Sequence, residues 1–287
     1  MGMAGVALTG IATYPVKSLA GGAQTIAMVE PCGLEGDRRF MVVDAGGRFI
    51  SQRECPRMAL LHAALAAGQL ILSRAGAASM MIAGATDGAV CTVRVWRDAV
   101  TARDAGETAA SWLSAALDLP CRLVYLDAPF SRRIKARYAS NQTECVSFAD
   151  GFPLLLASES SLAEVNARLP DPVTMARFRP NLVIAGGPAW AEDTWRRIRI
   201  GEAVFRVAKP CDRCVITTLD PLTGLQPAGN EPLTTLAQFR RDGSGGIMFG
   251  QNLVPERCGA VRLGDRVEVL EAGPSNVVPV SRLISAD

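Results

Sequence analysis

Between residues 6 and 103 no hydrophobic pattern outlasts a short strand, and turn residues close each one. The segments are VALTGIATYPV, QTIAMVEP, RRFMVVDAGGRFISQ, HAALAAGQLILS and CTVRVWRDAVTA. In CTVRVW, Cys91, Val93 and Val95 alternate with Thr92, Arg94 and Trp96, the period of two that a half-buried strand requires. DAGG, between MVV and RFIS, has the residues of a hairpin turn. The first third of the chain is therefore expected to be β-rich.

Near residue 106 the period changes. Ala109, Trp112, Leu113, Ala116 and Leu117 fall on one helical face, and the pattern stops before Pro120. CRLVYLD then reads as a strand, followed by SRRIKARY (131–138), a basic, turn-like stretch. Such a stretch reads as solvated surface, with docking of an acidic partner or substrate as the other reading. The domain junction is placed beside it, giving parts 1–125 and 126–287. In the second part SESSLAEVNARL predicts a helix, with Ser161 and Glu164 at capping-box spacing and Leu162, Val165 and Leu169 on one face. NLVIAG, WRRIRIGEAVFRV, CVITTL, GIMFGQNLV and GAVRLGDRVEVLE predict strands. A further helix is expected at 231–241, with Asn230 as cap and Pro232 in its first turn.

Length and charge narrow the function. A chain of 287 residues is long enough for about two domains with a core in each. Thirty basic residues against 28 acidic ones, a net charge of +2, predict no bias toward nucleic acid. The N-terminal stretch MGMAGVALTGIATYPVKS has no basic residue before Lys17 and an interrupted apolar run, so it lacks the layout of a secretory signal. No stretch offers the ~20 apolar residues of a membrane helix. The expectation is a cytoplasmic protein that does not engage a membrane. Its eight cysteines should then be mostly reduced, and the six isolated ones (Cys32, Cys55, Cys91, Cys121, Cys145, Cys258) read as small buried hydrophobes. The one histidine, His62, reads as a packed or edge-strand residue, and a His-rich metal site is excluded.

PCDRCVITTLDPLTG (210–224) sets Cys211 and Cys214 three positions apart. A zinc site would need two more thiolates from the scattered six, and there is no second Cys-x-x-Cys. A thioredoxin-type switch places its pair at a helix N-terminus, whereas VITTL favours a strand. Structural cysteines, and chemistry that uses one sulfur only, stay open. Polar groups gather elsewhere in the sequence: Lys17 and Ser18 after YPV, Arg38 after GD, Arg53 after ISQ, and Arg179 with Asn181 in RFRPN. Each alone is a surface charge or a turn former. Together they suit a phosphorylated, hydrogen-bonding cofactor beside a thiolate, and Arg213 next to Cys214 would favour that thiolate. GSGGIMFG (243–250) is Gly-rich but lacks the Lys-Ser/Thr of a phosphate loop.

Five motifs, YPVKSLAGG, GLEGDRRFMVVDAGGRFISQRECPRMALL, FRPNLVI, WRRIRIGEAVFRV and PCDRCVITTLDPLTG, run in order over about residues 5 to 270. With them the chain resembles the MOSC proteins that carry an N-terminal MOSC β-barrel domain, the group of the mitochondrial amidoxime-reducing component and its bacterial counterparts. The resemblance implies an α+β, β-rich fold: an N-terminal MOSC β-barrel domain (1–125) plus a MOSC β-barrel domain with a few helices (126–287). It implies a molybdenum cofactor (molybdopterin) between the two, with Cys214 as metal ligand and catalytic residue and Cys211 structural. Cofactor contacts carry over to Lys17, Ser18, Arg38, Arg179 and Asn181, and Asp150 in FADGFPLLLASE matches an acidic position of the relatives. The implied activity is reduction of N-hydroxylated small molecules with electrons from a separate electron-transfer protein or reductase. The alternatives are a sulfur carrier or sulfurtransferase, as in the C-terminal domain of molybdenum cofactor sulfurases, and a non-catalytic cofactor carrier.

The chain also departs from the mitochondrial relatives. Gly151 and Phe152 stand where those have hydroxyl residues. Their N-terminal anchor is not found. The ferredoxin domain of some bacterial relatives is not expected either, with about 17 residues following GDRVEVL.

Overall fold

The alternating segments of the first hundred residues form strands in the computed structural model, which describes residues 5–83, 87–126, 132–227 and 229–278. Ser131, at the head of the basic stretch, lies outside the described residues, as does Asp127 at the end of CRLVYLD. The first part holds β1 (Ala7–Thr13), β2 (Gly22–Gln24), β3 (Ile26–Glu30), β4 (Gly33–Leu34), β5 (Phe40–Val43), β6 (Leu61–Ala66), β7 (Gln69–Arg74) and β8 (Met80–Ile82). It continues through β9 (Val90–Val95), β10 (Asp98–Asp104), α1 (Glu107–Leu117) and β11 (Arg122–Tyr125). The second part holds β12 (Leu154–Ser158), α2 (Glu159–Asn166), β13 (Leu182–Ala185), β14 (Trp195–Ile200) and β15 (Ala203–Asp212). It closes with α3 (Leu233–Phe239), β16 (Met248–Arg257), β17 (Gly259–Arg262) and β18 (Val267–Ala272). The fold is β-rich, as expected.

Strand order shows how the two ends of the chain interleave. An eight-stranded sheet runs β18-β14-β15-β16-β12-β13-β1-β2, so the first strands of the chain close a sheet that later residues build. Ile11 pairs with Leu182, and Val261 of β17 pairs with Ala27 of β3. A four-stranded sheet β5-β11-β10-β9 and two three-stranded sheets, β17-β3-β4 and β6-β7-β8, make up the rest. β12 and β5 are buried on both faces, whereas β9 alternates. Leu8, Leu156, Leu182, Ile198, Phe205 and Leu253 share a core under the large sheet, while Met58, Leu61, Leu72, Leu113 and Leu123 share another under α1. Phe205 is fully buried, so truncation to alanine should cost about 3–5 kcal/mol in transfer and cavity terms. Val16 and Leu19, on the connection from β1 to β2, belong to the second of these cores.

Several local expectations hold. Val93 and Val95 of β9 are buried while Thr92 and Arg94 face solvent. In the DAGG turn Asp44 Oδ1 accepts from the Gly46 and Arg48 amides. Ala109, Leu113 and Leu117 are the buried face of α1, which ends on Asp118 in the left-handed conformation. His62 is an exposed residue of β6, on the sheet edge where it bridges Ala20.

Others do not hold, and each has a local cause. VITT forms a 3-10 turn, Val215–Thr218, instead of a strand. The hydroxyl of Thr217 donates to the Cys214 carbonyl at 2.9 Å and that of Thr218 to the Val215 carbonyl at 2.7 Å, side-chain bonds that compete with a ladder. The cap of α2 is Ser158. Ser161 and Glu164, the expected capping pair, both hold Trp190: Ser161 Oγ accepts its amide and Glu164 its indole N–H. The last helix is shorter than 231–241, and Glu231, rather than Asn230, supplies the side-chain bond, accepting from the Thr235 amide. In the basic stretch, Arg133, Lys135 and Arg137 are exposed, but Arg132 is 4% exposed. It is buried because its guanidinium donates to the carbonyls of Ser147, Ala149 and Asp150.

Six of the eight cysteines are free, in line with the expectation of mostly reduced thiols, but two of those read as isolated buried hydrophobes are paired. Cys32 and Cys145 form a disulfide with Cα atoms 5.1 Å apart, 113 positions apart in sequence. No spacing rule links such a pair, because the contact arises only when the turn after β3 meets the segment before β12. Of the remaining isolated cysteines, Cys55 and Cys121 are buried, Cys91 is half-buried and Cys258 is exposed.

Candidate functional site

One cleft is lined by Lys17, Ser18, Arg38, Asp150, Arg179, Asn181 and Cys214, all seven candidate residues of the sequence. They arrive on five separate connections, after β1, before β5, before β12, before β13 and at the end of β15. The backbone at three of them is unusual. Ser18, Arg38 and Arg179 have φ of 68°, 48° and 53°, a left-handed conformation in which long side chains are uncommon. Packing enforces it: the Arg38 amide donates to the Tyr14 carbonyl at 2.8 Å and Phe148 donates to the Arg38 carbonyl at 2.9 Å. Strain of about 1–3 kcal/mol per such residue persists only where surrounding structure over-determines it, and it gathers at functional sites.

The cleft carries excess positive charge. Arg38 is paired, with Nη1 donating to Asp37 at 2.6 Å and to Asn181 Oδ1 at 3.0 Å. Arg179 is not: its Nη2 donates to the Leu19 carbonyl at 2.7 Å, and among the described residues no carboxylate lies within 4 Å of it. Burial, with Arg38 close by, pulls its pKa down to about 10, so the group remains a cation near neutral pH. Both guanidiniums lie against the Tyr14 ring, at 4.4 and 4.3 Å from its centroid. Lys17, 5% exposed, donates to the Phe148 carbonyl at 2.9 Å and to Asp150, and its burial lowers its pKa against the pull of that carboxylate. For Asp150, desolvation pushes the carboxyl up, but Lys17 outweighs it and holds the group well below the usual carboxylate range. The Asp150 side chain is still 60% exposed, so solvent screens the pair. Asn181, 1% exposed, spends its side chain on the protein, accepting from Arg38 and the Leu155 amide and donating to Ala12. It braces Arg38. The Ser18 hydroxyl makes no hydrogen bond among the described residues.

The two thiols share the cleft but have different arginines. Arg213 does not face Cys214, as its place in the sequence suggested; it turns to Cys211 Sγ at 3.0 Å and to the Phe178 carbonyl at 2.8 Å. Arg53 reaches Cys214 Sγ instead, at 3.0 Å. Among the described residues no three His, Cys, Asp or Glu side chains gather as a metal-binding set. Phe152 adds an apolar wall, and Gln52 donates to the Ser18 carbonyl at 2.7 Å. Sequence reasoning missed Tyr14, Gln52 and Trp96, whose indole N–H donates to Asp150 at 3.3 Å. Tyr14 opens YPVK and Gln52 precedes Arg53, which was the available signal; nothing in the sequence marked Trp96.

Comparison with known proteins places this geometry in context. The MOSC N-terminal beta barrel domain matches residues 5–120 and the MOSC domain matches residues 143–268. The mitochondrial amidoxime-reducing component 1 of Homo sapiens is 34% identical over 273 residues, covering 90% of this chain and 81% of that protein. The molybdenum cofactor sulfurase of Oryza sativa is 30% identical over 262 residues, 85% of this chain but 32% of the sulfurase. Among solved structures, the YUAD protein from Bacillus subtilis covers 91% of this chain and 94% of its own, at 14% identity and a TM-score of 0.42. Among the described residues no helix is long and apolar enough to cross a membrane.

Proposed function

The chain belongs to the MOSC proteins that carry the N-terminal MOSC β-barrel domain, and from that premise we propose that it is a molybdenum-cofactor reductase of N-hydroxylated small molecules. The observation that carries the reading is Cys214, a free thiol that opens onto a cleft where Arg179 is a cation with no carboxylate partner among the described residues. A soft thiolate suits a soft metal, and a desolvated guanidinium without a counter-ion suits a phosphate. The residues present therefore fit a metal-bearing, phosphorylated cofactor. When bound, that cofactor supplies the two-electron redox centre that cleaves the N–O bond.

The chain's own residues bind, orient and enclose. Cys214 Sγ is the metal donor. Arg179 and Arg38, spaced by Tyr14, and Lys17 form the anion-binding wall, with the Ser18 hydroxyl as a neutral donor. Asn181 and Asp37 fix the Arg38 fork, Asp150 fixes Lys17, and Phe152 with Phe178 keeps bulk water from one side. Electrons come from a separate carrier protein, and we place the protein in the cytoplasm with no nucleic-acid role. Protein made in a molybdenum-competent host should hold about one molybdenum per chain and reduce an N-hydroxylated substrate with a dye donor. Metal-free protein from that host, inactive with every N-hydroxylated substrate, would overturn the proposal.

A second reading is sulfur carriage, favoured by one observation: Cys211 opens onto the same cleft as Cys214, held by its own arginine. Labile sulfur without molybdenum would select it. Bound cofactor without turnover would select a non-catalytic carrier.

A further inference from the structure

Trp96 obeys neither rule that usually places a tryptophan. It sits in the two-residue turn between β9 and β10, where Val95 pairs with Asp98, at φ 58°, a position normally left to Gly, Asn or Asp. It is also 48% exposed. Its contacts explain it. The indole N–H donates to Asp150 Oδ1 at 3.3 Å, the ring meets Phe49 edge-on at 4.9 Å, and Arg53 Cζ lies 4.9 Å from its centroid. Arg132 pins the same hairpin, donating to Asp98 at 3.1 Å. Arg53 in turn has five N–H donors, and among the described residues its one hydrogen bond is to Cys214 Sγ at 3.0 Å, with no carboxylate within 4 Å. Its neighbour Glu54 is taken by Arg48 at 2.8 Å. The aromatic face is what is left to fix the guanidinium.

We propose that Trp96 is a positioning residue that holds the Arg53 guanidinium on the Cys214 sulfur, so that a turn of the first part of the chain tunes the thiol of the second. The inference rests on the reading of Cys214 as metal ligand. An N–H donated to a ligating sulfur withdraws charge from it and shifts the reduction potential and absorption of the centre.

The test uses Trp96→Ala, Trp96→Phe, Arg53→Ala and the Trp96→Ala/Arg53→Ala double variant. In the ¹⁵N-labelled protein without cofactor, Arg53 should give a sharp Nε–H resonance in wild type and Trp96→Phe, and an averaged one in Trp96→Ala. In loaded protein, Trp96→Ala and Arg53→Ala should shift the thiolate absorption band alike and lower kcat about threefold to tenfold, the scale of one cation–π contact, with KM little changed. Trp96→Phe should restore most of both, and the double variant should be no worse than Arg53→Ala. A Trp96→Ala protein that only melts earlier, with the Arg53 resonance and the band unmoved, overturns the proposal, as do additive effects in the double variant. A Cys214→Ser protein that keeps the wild-type band and turnover overturns the premise itself. A dead Cys214→Ser beside an unaffected Trp96→Ala overturns the proposal alone.

Discussion

Arg38 and Arg179 lie 4.4 and 4.3 Å from the centroid of one Tyr14 ring, yet among the described residues only Arg38 has a carboxylate partner. Alanine at the two positions should therefore have different consequences. Arg38→Ala strands Asp37, which is 1% exposed, and removing one member of a buried pair costs about 3–5 kcal/mol. Arg179→Ala strands no charge, so urea unfolding should give a stability within about 1 kcal/mol of wild type. The bound state depends on Arg179 all the same, because losing a cation that faces a desolvated phosphate costs about 2–5 kcal/mol of retention. Arg179→Ala should purify folded with little molybdenum or pterin. Full cofactor content with a lowered urea midpoint would mark Arg179 as a structural residue.

Glu192 gives a pH dependence of stability away from the cleft. The side chain is 1% exposed and accepts from Ser161 Oγ at 2.6 Å, and burial pushes its pKa up to about 7. A carboxyl raised in the folded state contributes stability that is full below its unfolded pKa and is lost as pH rises through the folded one. Between about pH 4.5 and pH 7 the loss is on the order of 3 kcal/mol. Glu192→Gln should flatten that slope and leave the protein more stable than wild type at pH 8. Parallel slopes for the two proteins, read from denaturation at pH 5 and pH 8, would refute it.

Turnover should require an added electron donor. The sequence has no flavin-binding glycine fingerprint and no iron-sulfur ligand set, and GSGGIMFG leads through a turn at Asp242 into β16. Purified, loaded protein should reduce an N-hydroxylated substrate with an artificial dye and fail with NADH alone. Steady NADH oxidation by the pure protein would contradict this.

The parts of the site that were legible in the sequence are those carried by short motifs. Lys17, Arg38 and Arg179 each read alone as a surface charge or a turn former, and it was their combination with the Cys-x-x-Cys pair that pointed to a site. The β-rich fold was legible where a period of two survives, as in Val93 and Val95 of β9, and where turn residues bound short apolar runs. What escaped was set by contacts between distant segments. Arg53 meets Cys214 across 161 positions and the disulfide spans 113, and no local pattern encodes either. The 3-10 turn after Cys214 escaped for a different reason: Val and Thr favour strands on average, but threonine hydroxyls bonding back to carbonyls three residues earlier override that preference here.

Cys211 and Cys214 should separate cleanly, although both open onto the cleft and each has an arginine 3.0 Å from its sulfur. A paired role, as metal pincer or disulfide, needs both sulfurs and predicts equal damage from serine at either position. A single metal–thiolate bond needs Cys214 alone. Serine there offers a harder and far less acidic oxygen, so Cys214→Ser should abolish reduction and remove the thiolate absorption, even where Arg38, Arg179 and Lys17 still retain some cofactor. At position 211 a serine oxygen still accepts from Arg213, whose other hand is held by the Phe178 carbonyl, so Cys211→Ser should keep most of its activity. Turnover per bound molybdenum, measured on both variants, decides between the two arrangements: equal losses favour a paired role, and an active Cys214→Ser enzyme removes the thiolate from the chemistry altogether.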